Sequence, residues 1–130
     1  MSENQTVPPA LRTWFVVHFF ADVLFAIPLM FAPELTLTLF GWETIDPLMT
    51  RVVAAALFGI GIESWLGRDA GAEAYRGMLN LKIIWSAAVA LGGGYSLLAG
   101  VQGAPPLAWA LIGVFLFFNV VWVYWRVRLR

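Results

Sequence analysis

The chain has 130 residues, 61% of them hydrophobic and 12% charged, with eight basic side chains against eight acidic ones and no cysteine. Soluble domains average about 25% charged residues, and one this small cannot bury so much apolar surface. The zero formal charge argues against a nucleic-acid partner, which needs a basic surface, and the missing cysteines exclude disulfides, zinc–thiolate centres and thiol catalysis.

What remains is an integral membrane protein whose first partner is the lipid bilayer. The polar start, MSENQTVPPA, lacks the basic region of a cleaved signal, so the first apolar segment is expected to act as an uncleaved insertion signal. Crossing the hydrocarbon takes about 20 apolar residues in a helix. Four segments meet that length: 11–32 behind Pro8-Pro9, 46–67, 74–99, and 105–125 opening at Pro105-Pro106. The second opens with Asp46 as N-cap and Pro47 at the first helical position.

Between the first two spans, PELTLTLFGWETID is too short and too polar to cross. Pro33 at a start, Leu35, Leu39 and Phe40 on one side, and Gly41 as a stop predict a short interfacial helix. The Leu/Thr alternation also suits a strand, but an unpaired strand in lipid leaves backbone groups unsatisfied. The expected fold is all-α: one domain over 1–130, an integral membrane bundle of four transmembrane helices with a short interfacial helix between helices 1 and 2.

Arg12, Arg68, Arg76, Arg126, Arg128 and Arg130 fall on one side of this arrangement. The other side has Arg51, beside Glu34, Glu43 and Asp46. The positive-inside rule then predicts a multi-pass protein of the cell inner (plasma) membrane with both termini cytoplasmic. Trp14, Trp65, Trp122 and Trp125 are assigned to the inner aromatic belt, and Trp42 and Trp109 to the outer one. Trp85 stands outside both.

Depth along each helix follows from its rise. Counted from the nearest arginine, His18 lies roughly 9 Å in, Asp22 15 Å, Glu63 7 Å, Asn80 6 Å, Lys82 9 Å, Trp85 14 Å and Asn119 10 Å. All of these polar groups fall in the half nearer the arginines. One charge within the membrane costs about 2.5–3.5 kcal/mol on insertion scales. Charges on three helices are therefore expected to face each other or water.

His18 and Asp22, four apart, share a helix face. Asp22 is expected to pair with Lys82 and to accept the indole N–H of Trp85. Glu63 is expected to pair with His18 or Lys82, or else to carry a proton. Asn80 and Asn119 also suit interhelical glue, worth about 0.6 kcal/mol per contact on average. The small pairs Ala55/Gly59 and Ser86/Ala90, with Gly94, are expected at helix contacts. Gly92-Gly93-Gly94 and Pro28 mark expected weak points.

Much chemistry is absent. A metal on His18, Asp22 and Glu63 would compete with Lys82 for the carboxylates, so no metal and no cofactor is expected. No phosphate-loop, nucleophile-elbow or zincin motif occurs, and LGGGYS lies inside a span with no strand before it. No nucleophile–base pair stands out, so an enzyme is not expected.

The proline-led FAPELTLTLFGW after the first span, followed by DPLMTRVVAAALFGIGIESWLGR with its basic end, resembles small four-helix bacterial membrane proteins of the DoxX-like type. The resemblance covers the first half of the chain. It implies a four-span bundle, linked in some members to quinone or sulfur redox systems, and assigns no functional residue.

Together these features predict a binding protein for a lipophilic or amphiphilic small molecule such as a lipid, quinone or amine. Its pocket would be lined by His18, Asp22, Glu63, Asn80, Lys82, Trp85 and Asn119, with Phe19, Phe115 and Phe118 as walls. The alternatives are a proton-coupled transporter working as a homo-oligomer, with Glu63 or Asp22 cycling protons, and a structural subunit of a larger membrane complex.

Overall fold

A computed structural model of the chain describes residues 5–130; residues 1–4, the start of the polar N-terminal stretch, lie outside the described residues. Five helices follow one another: α1 (Pro9–Phe31), α2 (Pro33–Leu39), α3 (Pro47–Leu66), α4 (Ala72–Leu98) and α5 (Leu107–Arg128). The described residues contain no strand. Helices α1, α3, α4 and α5 are long and apolar enough to cross a membrane, with mean hydropathies of 1.9, 1.3, 1.4 and 2.1. This is a multi-pass membrane protein built as a four-helix bundle, with α2 as the short helix between the first two spans.

Local chemistry sets the boundaries. Proline occupies the first turn of α1, α2 and α3, where its missing N–H has no helical partner to lose. Asp46 Oδ1 accepts the Met49 N–H at 3.0 Å and caps α3. Beyond α2, Gly41 adopts φ +95°, a left-handed conformation that glycine takes without strain. The Pro28 carbonyl accepts from the Ala32 N–H at 2.9 Å and the Thr36 hydroxyl at 3.1 Å, which ties α2 to the end of α1. The glycine run at 92–94 does not interrupt α4, which continues to Leu98.

Close backbone approaches are concentrated between α1 and α3 and between α4 and α5, so the bundle consists of two helical hairpins. Side chains connect the hairpins: Phe15 of α1 lies 4.4 Å from Tyr75 of α4 and 5.7 Å from Trp122 of α5, centroid to centroid. Each helix buries a narrow stripe. On α1 it is Leu11, Phe15, His18, Asp22 and Ala26; on α3, Ala54, Leu57, Gly61 and Ser64; on α4, Tyr75, Leu79, Lys82, Ser86 and Ala90. Steps of three and four residues keep each stripe on one side of its helix. The outward faces carry exposed Leu24, Phe31, Ile84, Leu91 and Val120, the surface a bilayer covers.

Arg12 donates to the Arg68 and Ala70 carbonyls, and Arg76 to the Arg130 carbonyl at 3.1 Å. These contacts gather the arginines at one end. Arg51, at the other end, donates to the Met30 carbonyl at 3.0 Å. There the Glu43 N–H also meets the Gly103 carbonyl at 3.0 Å, joining the two hairpins' loops.

Two packing expectations change. Ala55 and Gly59 point outward, and a Cβ added at Gly59 would meet nothing within 4 Å. The close helix approach is at Gly61 instead, where a Cβ would lie 2.7 Å from the Asp22 Cβ. Trp122 is not a belt residue. Only 1% exposed, it stacks on Phe118 at 5.7 Å inside the bundle.

Candidate functional site

The polar layer forms around Lys82, which is 2% exposed. Its Nζ donates to Ser64 Oγ at 2.6 Å and lies 2.8 Å from His18 Nδ1. The Ser64 hydroxyl in turn donates to the Ile60 carbonyl at 2.7 Å, so its lone pairs are free to accept from Lys82. Two rings complete the ammonium's surroundings, with centroids 4.9 Å away for Phe15 and 5.1 Å for Trp122. Aromatic faces attract a cation more strongly once water is excluded. A lysine buried in a membrane span is thus held by a hydroxyl, an imidazole and two rings.

His18 stands between the two charges. Its Nδ1 is 3.2 Å from Asp22 Oδ2 as well as 2.8 Å from Lys82 Nζ. Asp22 and Lys82, the expected ion pair, do not meet directly. The reason is depth: Lys82 follows Arg76 by six residues, as His18 follows Arg12, so these two are level. Asp22 sits one turn higher on α1.

One nitrogen lone pair cannot serve both neighbours. With Nδ1 bare, Lys82 donates to it and Asp22 receives no hydrogen from the ring. With Nδ1 protonated, the ring donates to Asp22 and Lys82 must rely on Ser64. With Nδ1 bare, Asp22 Oδ2 is buried and has no hydrogen-bond partner among the described residues; His18 Nδ1, 3.2 Å away, becomes its donor only on carrying the proton. Buried polar atoms left in this way are uncommon in native proteins.

Asn119 joins the layer from α5. Its amide donates to the Ile83 carbonyl at 3.0 Å and to Ser86 Oγ at 2.9 Å, and the Ser86 hydroxyl donates to the Lys82 carbonyl at 2.7 Å. A serine therefore passes a hydrogen bond onward on each side of Lys82.

The remaining expected site residues lie elsewhere. Glu63 is exposed, one turn from the end of α3, and its neighbour Ser64 takes the inward position. Asn80 is exposed and accepts from Arg126 Nε at 2.7 Å. Trp85 is half-buried, edge-on to Phe115 at 6.3 Å, and gives Asp22 no hydrogen bond. Of the expected walls, Phe118 packs 4.9 Å from His18, whereas Phe19 turns to Phe20 and Trp65. The seven residues thus do not line one open pocket. Asp22, His18 and Lys82 form a closed cluster, Asn119 borders it, and Ser64, Ser86 and Trp122 are its unforeseen members.

Among the described residues no three His, Cys, Asp or Glu side chains gather to hold a metal. What the cluster offers is a buried acceptor on Asp22, a buried donor on Lys82 and a ring between them that changes partner with its proton. Comparison with protein-family models, curated proteins and solved structures finds no match for this chain.

Proposed function

We propose that the protein is a membrane-embedded binding protein for a lipophilic or amphiphilic small molecule, held between the two hairpins with a donor-bearing head group on Asp22. The observation that carries this is Asp22 Oδ2, a buried carboxyl oxygen without a hydrogen-bond partner among the described residues while Lys82 holds His18 Nδ1. A hydroxyl or ammonium head supplies the missing donor, which favours an amine, a hydroquinone or a hydroxyl-bearing lipid. The hairpins meet through side chains at this level, so a ligand entering between them exchanges the Lys82 contacts with Ser64 and His18, while the backbone bond between Glu43 and Gly103 lies at the far end. On the strength of the six arginines at one end, the proposal includes the cell inner (plasma) membrane and cytoplasmic termini.

Thermal unfolding in detergent with a panel of amine and quinol amphiphiles tests the reading. At least one class is expected to raise the midpoint for wild type and for Glu63→Gln, and to lose that effect in Asp22→Asn. Equal stabilisation of wild type and Asp22→Asn by every compound would sink it.

A proton-coupled transporter, working as an oligomer, is the second reading. The sharing of His18 Nδ1 favours it, because one proton exchanges the Lys82 contact for the Asp22 contact. Flux in liposomes driven by a pH gradient and abolished in His18→Gln would support it; a strict monomer without flux would remove it.

A further inference from the structure

A cleft of about 310 Å³ opens at the arginine-rich end, lined by Arg12, Thr13, Val16, Arg68 and Asp69. It is separate from the buried layer: Arg12 precedes His18 by six residues, roughly 9 Å of helix. Both guanidiniums are held in place. Arg12 donates to the Arg68 carbonyl and, at 3.3 Å, to the Ala70 carbonyl, and lies 5.5 Å from the Tyr75 ring centroid. Arg68 donates to the Trp65 carbonyl at 2.6 Å and lies 3.9 Å from the Trp65 ring centroid.

These partners orient the two charges and neutralise neither. The cleft's one carboxylate, Asp69, makes a loose, solvent-exposed ion pair with Arg68: it is 3.7 Å from Arg68 Nε, too far for a hydrogen bond, and its side chain is 82% exposed, so it offsets little of that charge. A guanidinium has five N–H donors, so donors remain on both arginines. Val16, on the membrane side of Arg12, supplies an apolar wall.

We propose that this cleft binds the phosphate group of an anionic amphiphile, clamped between Arg12 and Arg68, with the acyl chain running past Val16. Guanidiniums match phosphate oxygens in charge and in fork geometry, and basic pockets between membrane helices take phosphate head groups. The head group here is an acceptor and an anion. It is the phosphate, not a head-group hydroxyl, that the cleft holds, and Asp22→Asn should leave its retention unchanged, so either site stands if the other fails.

Native mass spectrometry of the whole chain, released from nanodiscs of phosphatidylglycerol and phosphatidylcholine in equal parts, tests the cleft, with inorganic phosphate as a competing probe. Wild type is expected to retain phosphatidylglycerol preferentially. Arg68→Gln should cut that retention about fivefold, and Asp69→Asn should raise it. Arg76→Gln, which removes the same charge at the same end outside the cleft, should leave it unchanged. Retention that inorganic phosphate weakens or leaves intact assigns the anion to a lipid; a phosphate adduct with no retained lipid assigns the cleft to free phosphate and overturns the acyl-chain part of the proposal. Equal retention of the two lipids without a phosphate adduct overturns the proposal, as does an equal fall in Arg68→Gln and Arg76→Gln. Should Arg68→Gln fail to fold, unchanged retention in Asp69→Asn is equally decisive against it.

Discussion

Rings fill the arginine-rich half of the bundle, where Phe15, Tyr75 and Trp122 pack with Leu11, Leu79 and Leu129. In the opposite half the buried positions of the spans include Ala26, Ala54, Ala90, Ala108 and Ile112, with Pro33 and Thr36 of α2 beside them. Lipid tails give helices no hydrophobic reason to associate, so close packing and polar contacts must do it. Small residues let backbones approach; large rings hold helices apart and fill the space between them. The polar layer lies where one regime meets the other, with Asp22 one turn from Ala26 and Lys82 one turn from Ser86. Lys82 is tolerated there because Phe15 and Trp122 exclude lipid and present their faces to it. The alanine half has neither rings for a cation nor a buried charge among its core positions.

The comparison breaks most readily at Lys82. Lys82→Met removes the cation that faces Asp22 across His18 and strips His18 and Ser64 of its hydrogen bonds; breaking a direct buried pair costs about 3–5 kcal/mol, which is the upper bound expected here. Adding Asp22→Asn is expected to recover most of that, read by denaturation in mixed micelles. A double variant as unstable as the single would mean the charges do not sense each other through His18. Truncating the ring layer at Trp122→Ala should cost about 3–5 kcal/mol as well, whereas Trp109→Ala, at an exposed ring, should cost far less. Equal losses at the two would deny that the rings organise only one half.

Two glycines on α3 sharpen the contrast at smaller scale. Gly61→Ala drives a methyl against the Asp22 Cβ, and such overpacking costs about 1–3 kcal/mol. Gly59→Ala meets nothing within 4 Å and should gain up to about 1 kcal/mol from helix propensity. Identical responses would contradict the packing of α3 on α1. Smallest of all, Glu63→Gln should stay within about 0.5 kcal/mol of wild type, as exposed substitutions do; a larger loss would show that Glu63 turns inward.

The spans, the interfacial helix and the Asp46 cap were legible because length, proline and capping chemistry act locally. Depth was legible too. Counting from Arg12 and Arg76 put His18 and Lys82 at one level, yet charge alone suggested pairing Lys82 with Asp22, one turn away. Rotation was not legible. Each span is apolar nearly all round, so no polar face reveals which side turns inward. That is why Glu63 drew attention rather than Ser64, although Ala54, Leu57, Gly61 and Ser64 form the inward row. Depth alone places Trp122 in a belt for the same reason, whereas its rotation puts it against Lys82.

The central claim is that Asp22 is the acceptor for an amphiphile held in the bundle. Native mass spectrometry of gently extracted protein, with lipid analysis of what co-purifies, tests it most directly. A defined donor-bearing amphiphile is expected to be retained by wild type and lost from Asp22→Ala. The same molecules retained by both, or nothing retained by wild type, would contradict it and leave the polar layer as a means of joining two hairpins.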